Sequence, residues 1–363
     1  MLEFPRWNDA CKWGFGANIG MIPGFIGNGV EYFVLPALFR YGPDYRSWID
    51  YAREILGDTK FDQVWFEVVH SPIPPDLFDF LVSLAPVRLG FVFESLELLP
   101  EEWANNPEGC RRREETIQGR LSVLTHMVNT DETDALRLDG KHGLAARAIP
   151  PGFVIPREFI CHEPPPPLVN FGVFFGTLYG ERRKWVESPY LKAVLRYCDK
   201  SPEFDSPYPA AFDDLHNQMQ QIFAGGVLEP DTLDAYLEGS RLIRTECFKL
   251  WLEGLRIGAA VVNLPQWGRA YASRIIEGMA AGRPVISQRM ENMENRPLAR
   301  NAFEDGKEIL LYQTEEELAE HLSRVLGDPD FARAITINAR KRIESEHTTE
   351  GYVGELLKWI ENG

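Results

Sequence analysis

Residues Ile257 to Gln288, IGAAVVNLPQWGRAYASRIIEGMAAGRPVISQ, constrain the fold more than any other stretch. Ile257 to Leu264 is an apolar, β-branched run ended by Pro265, the pattern of a buried parallel strand. A short polar loop follows. From Tyr271 to Ala281, the residues Ala272, Ile275, Ile276, Met279 and Ala280 recur at helical spacing, and Gly282 and Pro284 supply stop signals. Pro284 to Ser287 then starts a second strand. Strand, loop, helix and strand form a βαβ unit, and ligands of such sheets sit beyond the carboxyl ends of the strands. Backbone N–H groups around Tyr271, Ala272 and Ser273 are therefore expected to face an anion.

The run SRIIEGMAAGRPVIS resembles the donor-site segment of glycosyltransferases with two Rossmann-like domains facing each other across a cleft, the GT-B fold. A glutamate, small residues, a glycine and PVI recur in that segment. The resemblance implies that Glu277 hydrogen-bonds the ribose hydroxyls of a nucleotide sugar; the plainer alternative is a glutamate that solvates a helix face. Many retaining members carry a second glutamate eight residues earlier, where this chain has Arg269, and that departure moves the resemblance toward the spore-maturation-protein-like branch of the glycosyltransferase group 1 family.

A chain of 363 residues, 44% hydrophobic, is long enough for two domains with separate cores. Its net charge of −16 opposes binding to nucleic acid or to an anionic membrane. Cys11, Cys110, Cys161, Cys198 and Cys247 are odd in number, scattered and free of any CxxC pair, which argues for a reducing compartment and against zinc. No signal pattern and no apolar run near transmembrane length stands in the sequence, so a cytoplasmic protein is expected.

In the first half, strand-like and helix-like segments alternate, as in a doubly wound sheet. WGFGANIG places Gly14, Gly16 and Gly20 in a tight strand-to-helix turn; the resemblance puts that turn beside the cleft, and its spacing differs from the dinucleotide fingerprint. Strands are expected at Tyr32 to Leu35, Val64 to Val69, Arg88 to Phe93 and His126 to Asn129. Helices are expected at Tyr45 to Leu56, Asp76 to Leu84 and Arg111 to Val123. His70 directly follows VWFEVV and Glu94 directly follows RLGFVF, so both are expected at the carboxyl edge of the sheet. Either could deprotonate an acceptor hydroxyl, or Glu94 could bind sugar hydroxyls; equally, His70 could cap the SPIPP loop and Glu94 could neighbour a helix cap. The RRREE cluster, Arg111 to Glu115, reads as a solvated helix.

The resemblance divides the chain into an acceptor domain over 1–152, a Pro-rich linker over 153–168, a nucleotide-sugar domain over 169–345, and a final helix over 346–363 that crosses back to brace the first domain. In LVNFGVFFGTLYGERRKW the strand Val169 to Phe175 ends in a loop of Gly176, Thr177 and Gly180 before a basic helical run. Glycine lets the backbone approach a diphosphate, and Arg182, Arg183 and Lys184 could neutralise its charge; the alternative is an exposed basic helix. From 199 to 256 the expected second strand gives way to helical stretches, Ala211 to Phe223 and Thr232 to Leu255, read as an insertion. Leu298 to Phe303, Glu308 to Tyr312 and Glu315 to Leu326 read as helix, strand and helix.

The resemblance thus implies a glycosyltransferase that moves a sugar from a nucleotide diphosphate to an acceptor hydroxyl or similar nucleophile. It implies a retaining reaction; an inverting one would give His70 the role of base. No DxD signature stands in the second domain, so no metal and no resident cofactor are expected, only the nucleotide sugar as co-substrate. A sugar-nucleotide epimerase and a non-catalytic scaffold of the same fold are the alternatives. Sugar, base, acceptor and assembly, a homo-oligomer included, are left open.

Overall fold

The computed structural model describes residues 2–3, 17–36, 45–69, 73, 75–98, 100–149, 154–176, 178, 180–198, 230–266 and 270–362. Its strands are all parallel. β1 (Leu2–Glu3) and β2 (Leu35–Pro36) form a two-residue pair. β3 (Gln63–Glu67), β4 (Val87–Val92), β5 (His126–Asn129) and β6 (Ala145–Ala148) form a sheet in sequential order. The second sheet comprises β7 (Val169–Phe175), β8 (Leu195–Cys198), β9 (Gly258–Asn263), β10 (Val285–Gln288) and β11 (Leu310–Tyr312), in the spatial order β11-β10-β9-β7-β8.

Two expectations need correction. Tyr32 and Phe33 lie outside any strand, and only Leu35–Pro36 pairs; Pro36 has no N–H with which to extend a ladder, while the Tyr32 ring packs 5.7 Å from that of Phe25. The second domain does possess a second strand, β8, placed ahead of the helical stretch. It is a four-residue edge strand bonded only to β7, and Arg196 lies over the Phe171 ring at 4.5 Å, so it lacks the apolar run of a central strand.

The helix Pro230–Arg256 is the crossover from β8 to β9. Phe248, Leu252 and Leu255 recur along one face and join Phe159, Ile275 and Met279 in the core beneath the sheet. Ala211 to Phe223 lies outside the described residues.

The last helix, Thr349–Asn362, leaves the second sheet and packs on the first. Tyr352, Val353, Leu356 and Ile360 share a core with Met21, Phe25, Trp65, Leu89 and Phe91. Ile155 stands where the chain passes between the sheets in the other direction; its N–H donates to the His347 carbonyl at 3.1 Å and its carbonyl accepts from Thr349 at 3.0 Å. Gly24, on the helix Ala17–Gly27, permits the closest approach to this returning helix, since a Cβ there would stand 2.8 Å from the Thr349 carbonyl oxygen and closer still to Val353 Cγ2. Gly24→Ala is expected to destabilise the fold by about 1–3 kcal/mol in urea titration, the usual cost of overpacking against backbone. An unchanged midpoint would show that the two helices yield freely.

Candidate active site

The strand order of the second sheet reverses between β7 and β9, because the chain leaves β7 for β8 on one flank and returns to β9 on the other. Connections diverge at such a point, opening a crevice beyond the strands' carboxyl ends. Arg274 occupies it. The residue lies in the first turn of the helix Ser273–Ala280, and its Nη1 donates to Asn263 Oδ1 at the end of β9 over 2.9 Å. Asn263 Nδ2 donates in turn to Ser287 Oγ on β10 at 3.1 Å, which fixes the amide's orientation. The guanidinium lies 4.9 Å over the Phe174 ring of β7. Gly176, just past β7, has φ 154°, which favours glycine, and a Cβ there would come within 2.6 Å of Arg274 Nη2 and displace the guanidinium.

One turn along the same helix, Glu277 is only 9% exposed and its Oε2 accepts from Trp251 Nε1 at 2.9 Å. Burial pushes its carboxyl above the usual range, opposed by the Trp251 N–H, the Arg274 charge and the Ser273 hydroxyl. It is therefore an interior acceptor, which removes the reading of a solvated helix face. The helix begins at Ser273 because Ala272 takes extended angles, φ −75° and ψ 151°, and no side chain caps it. Tyr271, just before, is buried with its ring 5.4 Å from that of Phe303; burial raises its phenol pKa, and its hydroxyl has no hydrogen-bond partner among the described residues.

Arg182 is buried and turned into the fold, where its Nε donates to the Pro265 carbonyl at 2.6 Å and its guanidinium lies 5.3 Å from the Phe174 ring centre. It thus braces the loop leaving β9, beside Arg274. Lys184 and Arg183 are exposed, and Arg183 pairs with Glu187 at 3.6 Å. Gly14, Gly16, His70, Thr177 and Arg269 lie outside the described residues.

Glu94 follows β4, and its Oε1 accepts from Arg113 Nη2 at 2.5 Å and Nε at 3.1 Å. The solvated reading of the RRREE cluster fails at Arg113. Cys110, Arg113, Ile117 and Arg120 share the inward face of the helix Pro107–Leu121, and Arg113 also donates to the Ser95 and Leu96 carbonyls. Arg112, one residue aside, does face solvent and pairs with Glu108 at 3.8 Å.

Sequence reasoning passed over Arg274, Asn263, Trp251 and Glu132. The Glu132 signal was the acidic DETD following a strand. From the first turn after β5, its Oε2 accepts from the Leu298 and Ala299 N–H groups at 3.0 and 3.2 Å, capping the helix Pro297–Ala302 of the other half. Two cavities bordered by described residues, of about 640 and 350 Å³, lie along Pro156 to Cys161 and the helix Pro230–Arg256; neither is bordered by Glu277 or Arg182. Among the described residues, no group of three or more His, Cys, Asp or Glu could hold a metal ion, and no helix is long and apolar enough to cross a membrane.

Two parallel sheets of four and five strands, braced by a returning helix, make this an α/β protein of the GT-B fold, the architecture of many glycosyltransferases. Residues 245–358 match a family model described as glycosyl transferase-like, and that segment contains Trp251, Asn263, Arg274 and Glu277. No curated protein matches the sequence. Among solved structures, sucrose-phosphate synthase from Thermosynechococcus elongatus is similar with a TM-score of 0.53 at 14% identity, over 90% of this chain and 79% of that one. HepE of Anabaena, solved in complex with UDP-glucose, has a TM-score of 0.50 at 13% identity, over 98% of this chain and 99% of that one.

Proposed function

We propose that the protein is a glycosyltransferase that transfers a sugar from a nucleoside diphosphate donor to an acceptor nucleophile. The carrying observation is Arg274, held at the switch point by Asn263 beside Gly176 and at the open amino end of a helix. A guanidinium and first-turn N–H groups together offer charge and donors to a diphosphate. Glu277, one turn on, accepts the ribose hydroxyls. Arg182 holds the neighbouring loop, and the first domain presents the acceptor. Charge on the departing diphosphate is met by these groups, so turnover is expected to persist in a chelator. Retention of configuration follows from attack on the face that the diphosphate leaves; inversion would call on His70 as base. HepE binds UDP-glucose, so UDP-sugars are the first donors to test.

In a thermal-shift assay, donor at roughly 100 times its Kd stabilises the folded state by about 2.7 kcal/mol. Glu277→Ala is expected to weaken donor binding by about 10- to 100-fold, the cost of a hydrogen-bonded charged group. Equal donor affinity in the variant would remove the ribose assignment. Proton NMR of donor incubated alone distinguishes transfer, which leaves its sugar unchanged, from epimerisation, which yields a stereoisomer of the same mass.

A further inference from the structure

We propose that Trp251 is a positioning residue of the donor site, its indole N–H holding the Glu277 carboxylate in the orientation and charge state that accept the donor's ribose hydroxyls. This rests on the reading of Glu277 given above and assigns a role in it to the crossover helix.

Glu277 shares its helix with Ile275, Ile276 and Met279, all in the core, and water reaches little of its carboxylate. In such a setting a few hydrogen bonds decide whether the group stays ionised. An indole N–H can only donate, and its 2.9 Å bond to Oε2 is stronger to a carboxylate than to a neutral carboxyl, so it favours the ionised form. Packing fixes the indole's direction. Its ring meets Phe175 edge-on at 5.8 Å, and the same helix buries Phe248, Leu252 and Leu255. A carboxylate has about four lone-pair sites, so the Trp251 and Ser273 bonds leave others to receive ribose hydroxyls without displacing the indole. Trp251 therefore acts through Glu277 and need not touch the donor.

Isothermal titration of wild type, Trp251→Phe and Glu277→Gln with UDP tests this, with GDP as the second probe. Trp251→Phe keeps an aromatic ring near Phe175 and removes the N–H together with the pyrrole part of the indole. The ionisation of UDP's own phosphate is common to all three proteins and cancels in the ratio of their dissociation constants. The ratio of Trp251→Phe to wild type is expected to be severalfold larger near pH 5 than near pH 9, the signature of a carboxyl whose pKa rises further when its hydrogen-bond donor is removed. Glu277→Gln, whose Trp251 is intact, is expected to bind weakly with no such pH dependence, and it serves as the test if Trp251→Phe does not fold. A Trp251→Phe ratio that is constant with pH, or a Glu277→Gln profile parallel to wild type, overturns the proposal. Wild type that binds neither UDP nor GDP at any pH overturns the donor-site reading itself, and this inference with it.

Discussion

Arg274→Ala is expected to lower kcat/KM for sugar transfer by about 100- to 1000-fold, the usual cost of removing a preorganised charge from a developing anion. The side chain is fixed before any donor arrives, by Asn263 at 2.9 Å and by the Phe174 ring beneath it, so little reorganisation accompanies the reaction. Arg182 shares the Phe174 contact but spends its Nε on the Pro265 carbonyl, so it is poorly placed to take over. Losing the Asn263 partner costs about 1–2 kcal/mol of stability as well. Arg274→Lys separates the two effects. It keeps the charge, loses the planar fork, and is expected to retain more activity than alanine while losing as much stability. If folded Arg274→Ala turns over within threefold of wild type, the switch point does not hold the diphosphate.

Stability is expected to fall as the pH drops, through His347. Burial pushes this imidazole down from its ordinary 6.5 to about 4, and Arg342 adds to the shift while Glu346, Glu308 and the Ala302 backbone oppose it. Its ring lies 5.2 Å from Phe303, and its Nε2 has no hydrogen-bond partner among the described residues. The folded protein thus keeps His347 neutral where the unfolded chain would protonate it. The contribution is complete above 6.5 and is lost as the pH falls from there towards 4, a total of roughly 3 kcal/mol. Urea unfolding across that range, with wild type compared with His347→Gln, isolates it from carboxylates titrating elsewhere. Parallel profiles for the two proteins would show that His347 does not carry the effect.

The sequence exposed most of what burial dictates. Val169–Phe175 and His126–Asn129 are strands at their expected bounds, and Tyr45–Leu56 is a helix at its own, because each shows a clean apolar period. β8 escaped notice because LRYC is short, mixed and paired on one side only. In the candidate site, Glu277 was legible from the segment around it, whereas Trp251 lies 26 positions away and meets it only through packing of the crossover helix. Arg274 stood inside the quoted segment, yet the strand order that makes its position special cannot be read from a local window. Glu94 shows the converse limit. Its place after β4 follows from pattern, but its capture by Arg113 depends on which face the helix Pro107–Leu121 turns inward.

The returning helix also bears on how the chain is synthesised. Trp65, Leu89 and Phe91 emerge early, yet the surface they bury against includes Tyr352, Val353 and Leu356, which are translated only after the whole second sheet. The first sheet is consequently completed only after the second has been made, and a fragment lacking the returning helix would present an unfilled apolar trough to solvent.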